Sequence, residues 1–415
     1  MTTRERAQVV IVGGGPAGSA LAFALARSGV SVTVLDRAHF PRSKPCAEYL
    51  SPQASRVLAS MGVLETVERS GAAQLAGMVI RAPNGVRVVG EFAGCSVKGF
   101  RDRGLSVRRE ILDAILLDAA RDAGADVREA THVVDVMRDA SGRVRGVRTA
   151  DGQVLAAAFV VGADGLRSVV ARRLALARSA RWPRRYALVT HYRDVAEIGE
   201  CGEMHVERGG YVGIADVGGG LTTVALVVPS RPAKSFAAGR ERFLDAWLAA
   251  RPQLAARFAN ATRVSPVVAT GPFASRARRA WVPGAALVGD AADFFDPFTG
   301  EGIYAALRGG EMLAPFLAES LGTTSARQED AALVEYDRLR RREFGGKWIV
   351  EWIIGAVVGS PRVMNRAARV LAIRKDMADL LVGVTGDFVP ATAVLNARYL
   401  ASLFVLPVRA PRSAR

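Results

Sequence analysis

Residues 9–12, "VVIV", form an unbroken apolar run that ends abruptly in Gly13-Gly14-Gly15-Pro16-Ala17-Gly18. A run of that kind suits a strand buried on both faces. "SALAFALARSG" then reads as a helix stopped by Gly29, and "VSVTVLD" as a second buried strand ending on Asp36. Strand, helix and strand make a complete βαβ unit, whose parallel strands require a crossover of nearly fixed hand. The spacing Gly13-x-Gly15-x-x-Gly18 between strand and helix assigns the glycines separate tasks. Gly13 permits the tight turn, Gly15 lets backbone approach a pyrophosphate, and Gly18 lets the helix pack on the strand. The phosphates would sit on the helix N-terminus, where unpaired N–H groups favour negative charge. Asp36 can accept hydrogen bonds from a ribose diol. The candidate dinucleotide contacts are therefore Gly13, Gly15, Pro16, Ala17, Gly18, Asp36 and Arg37.

The chain beyond this unit changes character several times. "VRREILDAILLDAARDAG" is an amphipathic helix ended by Gly124, and "FVVGADGLRS" is a buried strand leading to Asp164-Gly165. From about 186 to 270 alternating apolar and polar residues argue for an antiparallel sheet in a separate layer. "AALVGDA" returns as a buried strand, and the chain is helical and arginine-rich after about 330. The expected fold class is α/β plus β: a Rossmann-like nucleotide-binding domain, an inserted antiparallel-sheet domain and a C-terminal helical region. The nucleotide domain takes 1–74, 105–185 and 271–330, the inserted sheet 75–104 and 186–270, and the helical region 331–415.

Composition narrows the partners. The formal charge of +16 comes almost wholly from arginine, since lysine stands only at 44, 98, 234, 347 and 375. The densest runs, "RARR" and "RLRRRE", are short and flanked by apolar residues, so they read as solvated faces and no nucleic acid is expected. A basic surface still suits an anionic or carrier-bound substrate or a membrane surface. Cys46, Cys95 and Cys201 lack metal-ligand spacing and cannot all pair within the chain, which points to no metal and to a reducing, cytoplasmic setting. "MTTRERAQVVIVGGG" lacks a signal-peptide core, and no apolar run is long enough to span a membrane.

Three motifs in order, Gly13–Gly18, Asp164-Gly165 and Gly289-Asp290, resemble those of the flavoprotein hydroxylase superfamily, with the fold of para-hydroxybenzoate hydroxylase. Geranylgeranyl reductases and flavin-dependent halogenases are close relatives within it. The resemblance covers roughly residues 6–320 and implies FAD as cofactor, with NAD(P)H docking transiently on the FAD domain. It implies that Gly13, Gly15 and Gly18 cradle the FAD pyrophosphate and that Asp36 binds the adenosine ribose. "VRREILD" matches the family's Val-x-Arg-x-x-apolar-Asp pattern, which selects Arg109 as a phosphate or ribose contact. Asp164 and Gly165 resemble the pair serving both FAD and the nicotinamide cofactor. Gly289 and Asp290 lie at the ribityl chain, and Pro297, Gly300, Gly302 and Ile303 would line the isoalloxazine ring. "FPRSKPCAEYLSP" resembles the "PRxKxCG" segment near the flavin, with Ala47 in place of glycine, and makes Arg42 and Lys44 candidate phosphate contacts.

The reaction is less constrained. The tryptophans at 182, 247, 281, 348 and 352 never occur two apart, so the halogenase signature Trp-x-Trp-x-Ile-Pro is absent. The prenyl reductase signature Tyr-x-Trp-x-Phe-Pro aligns with Tyr211-Val-Gly213-Ile-Ala215-Asp216, where the bulky residues are replaced by small ones. A wider pocket there favours a monooxygenase, in which NAD(P)H reduces FAD and a flavin C4a-hydroperoxide oxygenates a small organic substrate, aromatic, polyketide-like or another secondary metabolite. Molecular oxygen is then a co-substrate. The alternatives are an FAD-dependent ene-reductase acting on a lipid or polyketide double bond and a non-catalytic basic binding protein. No catalytic acid or base is assigned; His191, His205 and Tyr211 are substrate-pocket candidates able to activate a phenol or enol. Trp348–Val358 and Leu381–Leu406 read as core or dimer-packing helices that can also cap the pocket.

Overall fold

The fold is described from a computed structural model, covering residues 7–179, 184–230, 239–323 and 325–405. Trp182 and Leu406 lie outside the described residues. The first layer is a sheet in the order Trp281–Val282, Ala285–Leu287, Val154–Gly162, β1 (Ala7–Val12), β2 (Val32–Leu35) and Asp126–Arg128. Along this path all neighbours are parallel except the outermost pair, Trp281–Val282 with Ala285–Leu287; off it, Val144–Thr149 pairs antiparallel with Val154–Gly162 and with Val133–Arg138. Val9 to Val12 are buried, as a strand covered on both faces must be. α1 (Pro16–Arg27) packs between the Arg109–Asp122 and Gly302–Leu321 helices. The last contact is backbone to backbone. A Cβ at Gly310 would lie 2.6 Å from the Ala17 carbonyl oxygen and 2.8 Å from the Leu21 nitrogen.

The second sheet runs Thr262–Arg263, Arg185–Arg193, Thr222–Pro229, Gly210–Asp216, Cys201–Glu207, Gly77–Arg81 and Arg87–Glu91. Its strands alternate between two cores, as the two-residue period of a pleated strand requires. Ala187, Val189, Met204, Val206, Ala225 and Val227 face one side. Leu188, Val212, Ile214, Val224, Leu226 and Val228 face the other, under Leu244, Trp247 and Leu248 of the Arg240–Ala249 helix. The helices Ala326–Val358, Pro361–Ile373, Lys375–Thr385 and Ala397–Phe404 fold back over the first of these faces. Mixed parallel and antiparallel layers with a helical tail agree with the fold class expected from the sequence. Among the described residues no helix is long and apolar enough to cross a membrane, and no cluster of metal-ligating side chains occurs.

Candidate functional site

α1 begins at Pro16 with no side-chain cap, so its first-turn N–H groups are left for a ligand. The loop before it is held by contacts that only glycine allows. Gly13 has φ +107°, and a Cβ there would lie 2.5 Å from the Ala163 carbonyl oxygen; one at Gly18 would lie 1.9 Å from that of Gly13. At Gly15 the missing Cβ faces the Arg42 guanidinium, 3.4 Å away.

Positive charge gathers beside this bare backbone. Asp113, fully buried, accepts from Arg109 Nε at 2.8 Å and Nη2 at 2.7 Å, and pairs with Arg42 Nη1 at 3.0 Å. One carboxylate thus orients two arginines. Lys44 stands with them, its pKa lowered by burial and by the Arg109 charge against the opposing pull of Asp290. Three cations converge here on the shared Asp113, with Asp36 4.0 Å from Arg42, and make a site for an anion.

Asp36 closes the loop: Oδ2 accepts from Gly14 N at 2.8 Å and Oδ1 from Ala38 N at 2.9 Å. Asp164 accepts from Val169 N through Oδ2 at 2.6 Å, while its buried Oδ1 has no partner among the described residues; burial raises its pKa. That orphaned oxygen is consistent with a ligand hydroxyl.

At the opposite end, the turn 296–300 is pinned from below. Asp296 accepts from Tyr211 Oη at 2.6 Å and Phe298 N at 3.1 Å, and pairs with Arg185 at 2.5 Å. Gly300 has φ +74°, and a Cβ there would lie 2.4 Å from the Tyr49 ring. The Gly302–Leu321 helix then starts with no side-chain cap, as α1 does.

Two adjoining cavities, with about 1060 and 1020 Å³ of empty space, run between these ends and share Gly15, Lys44, Pro45 and Ala163. Gly13, Asp36, Arg37, Arg42 and Asp164 line one; Pro16, Ala17, Arg109, Gly165, Asp290, Pro297, Gly300, Gly302 and Ile303 line the other. Gly289 borders a third, polar cavity behind the turn, and Gly18 supports the loop from within. An elongated groove, anion-binding at one helix start and apolar at the other, fits an extended dinucleotide carrying a flat ring.

The three substrate-pocket candidates separate. His191 bonds Glu48 Oε2 at 2.7 Å and Ser265 Oγ at 3.1 Å; Glu48, not His191, lines the cavity, and its Oε1 accepts from Arg109 N at 3.0 Å. His205 is not brought to the cavity. Strand alternation turns Met204 and Val206 inward and His205 outward, to Glu203 at 2.7 Å. Although burial of the partly exposed Glu203 works the other way, His205 and Arg257 hold its pKa down to about 2. Tyr211 is also excluded from the cavity lining: it is fully buried with its hydroxyl on Asp296, so it supports the turn. Asp113, Glu48, Tyr49 and Asp296 escaped the sequence reading. Asp113 was visible as the last residue of the "VRREILD" pattern. The others depend on partners far along the chain.

Glu301, directly before the second helix start, is 5 % exposed, and burial with the nearby Asp387 charge raises its pKa to about 8 against the pull of Lys347. Lys347 itself contacts Asp387. Between about pH 4.5 and 8 the folded chain retains a proton that the unfolded chain releases, so stability falls as pH rises through that window. Urea unfolding at pH 6 and 8 should show a loss of up to about 1.4 kcal/mol per pH unit from this group. Glu301→Gln should remove that share of the slope; an unchanged slope refutes the assignment.

The FAD binding domain family matches residues 6–344. A menaquinone reductase of Mycobacterium tuberculosis is 32 % identical over 343 residues, covering 76 % of this chain and 78 % of that one. Digeranylgeranylglycerophospholipid reductase 2 of Methanopyrus kandleri is 30 % identical over 397 residues, covering 93 % and 94 %. Among solved structures, a myxobacterial chondrochloren halogenase superposes with a TM-score of 0.76 at 27 % identity, covering 83 % of this chain and 82 % of that chain. These relatives are oxidoreductases, which removes the reading as a non-catalytic basic binding protein. The chain belongs to the FAD binding domain family and is an FAD-dependent oxidoreductase.

Proposed function

We propose that this oxidoreductase saturates a carbon–carbon double bond in a long apolar substrate, such as a prenyl or related lipid chain. The observation that carries the reading is a separate apolar cavity, of about 950 Å³ of empty space, between the substrate-side sheet and the C-terminal helices. Met78, Ile80 and Met204 line it from the sheet, and Val350, Ile354 and Leu403 from the helices. A narrow space beside the turn lies between it and the flavin-side groove. That space shares Tyr49, Pro297 and Gly300 with the groove, and Met78, Met204 and Phe298 with the apolar cavity.

Gly213 and Ala215 line the narrow space, so the small residues that weighed against a prenyl reductase leave the passage open. The apolar grip is supplied by helices 350–404, in addition to their packing role. Burying hydrocarbon there is worth about 0.8 kcal/mol per methylene, which favours a chain over a small polar ring. The names of the reductase relatives, which act on menaquinone and digeranylgeranylglycerophospholipid, support the same substrate class.

Bound FAD, reduced by NAD(P)H, would supply the hydride for the alkene, with a proton to complete the saturation. The chain's part would be to place and shield. Arg42, Lys44 and Arg109 would hold the pyrophosphate, Asp36 and Asp290 would take the ribose and ribityl hydroxyls, and Pro297 to Ile303 would form the wall against the ring. The uncapped N–H groups at Gly302 and Ile303 favour negative charge on the pyrimidine side. The apolar cavity keeps water away from the alkene.

The second reading, oxygenation of a compact substrate, is favoured by the room that Gly213 and Ala215 leave beside the turn. Turnover under anaerobic conditions with mass analysis of the product separates the two. Gain of two hydrogens without oxygen supports reduction. A strict need for oxygen, with one labelled oxygen atom in the product, overturns it.

A further inference from the structure

The Pro361–Ile373 helix has two faces of opposite chemistry. Met364, Ala367, Ala368 and Leu371 line the apolar cavity. Arg362, Arg366 and Arg369 recur on the other side at intervals of four and three residues, which is one stripe of a helix. No carboxylate occurs anywhere in this helix. Beyond its end, Arg374 is paired with Asp376, and Lys375 with Glu91 and Asp379.

Large apolar side chains are exposed on this helix and on the one before it. Val363 and Ile373 are 38 % and 42 % exposed, and Ile349 and Trp352 of the preceding helix are 53 % and 51 % exposed. Ile349 and Trp352 are immediate neighbours, along their helix, of Val350 and Ile353, which line the cavity. Six of the ten large apolar side chains exposed among the described residues fall between Leu339 and Val405. The concentration marks an interaction surface. A soluble protein partner would satisfy the apolar groups but not the run of arginines with no acid among them. An interface of anionic headgroups over acyl chains satisfies both.

We infer that the outer face of the Pro361–Ile373 helix, with Ile349 and Trp352, docks on an anionic phospholipid bilayer and sets the apolar cavity against the membrane. Arginines in this position reach phosphate headgroups, Trp352 sits at headgroup level, and the aliphatic side chains enter the acyl boundary. The purpose of such docking rests on the proposed lipid substrate; the docking itself is measured without substrate, so the two fail separately.

The test is co-sedimentation of the full-length, FAD-loaded protein with vesicles of phosphatidylcholine alone or mixed with phosphatidylglycerol. Binding is expected only with the mixed vesicles and should weaken as salt is raised. The Arg362→Glu/Arg369→Glu variant should bind about thirtyfold more weakly, at roughly fivefold for each basic side chain lost. Ile349→Ser/Trp352→Ser should also release the protein from vesicles, with flavin content and melting temperature unchanged in both variants. Equal sedimentation of wild type and both variants, or none with either vesicle, overturns the inference. So does a wild-type dimer that Ile349→Ser/Trp352→Ser dissociates without any vesicle binding, because the face then belongs to a second copy.

Discussion

Asp113→Ala is expected to purify with little or no FAD and to unfold about 3–5 kcal/mol more easily than the wild type. Asp113 has no exposed surface, and it is the carboxylate shared by Arg109 and Arg42. Removing it takes the carboxylate from Arg109 and leaves Arg42 only Asp36, 4.0 Å away, in a wall that already holds Lys44. Breaking a buried pair costs far more than forming it contributes, because the surviving charge has neither water nor partner. The arginines would swing apart to find solvent and lose their aim at the helix start. A pyrophosphate is itself a counter-charge, so excess FAD should restore part of the lost stability by mass action. Flavin absorbance per protein and thermal melts with and without FAD report both effects. Asp113→Asn, which keeps the shape without the charge, should fall between. Full FAD content with an unchanged melt in Asp113→Ala would show that the triad does not organise the site.

The second large effect is expected from closing the apolar cavity. Ala368 has no exposed surface and lines that cavity from the Pro361–Ile373 helix. Ala368→Trp places an indole where the substrate chain would lie, displacing about one isoprene unit of five carbons. At about 0.8 kcal/mol per methylene, kcat/KM for a long-chain substrate should fall on the order of a hundredfold or more. Flavin content should be unchanged, since Ala368 is remote from the cofactor groove, and so should flavin reduction by NAD(P)H. A truncated substrate that does not reach the cavity should lose little. If long and short substrates suffer alike, the cavity is not the substrate's. If neither suffers, the compact-substrate reading gains.

Much of this site was legible before any coordinates, because its contacts are local. Gly13, Gly15 and Gly18 act on one another and on the strand they follow, so their spacing carries the geometry. Gly289 and Asp290 are legible for the same reason, lying at a strand end before a helix. The buried "VVIV" run fixed β1 as an interior strand of a parallel sheet. What escaped depends on partners that sequence spacing does not encode. Glu48 reaches His191 across 143 residues, and Tyr211 reaches Asp296 across 85. His205 was misplaced because an alternating strand offers two faces and the sequence does not say which one meets the cofactor. Residues 348–358 and 381–406 read as core or dimer-packing helices able to cap the pocket, and as far as residue 404 they pack in a core. That they pack around a void is a property of volumes, not of periodicity.

The close crossing at Gly310 has a mechanical consequence. α1 and the Gly302–Leu321 helix each present an uncapped start to the same groove. Where they cross, no side chain separates them. They therefore act as a splint: neither start can shift without dragging the other, so the distance between the two ends of the groove is held by backbone contact rather than by side chains.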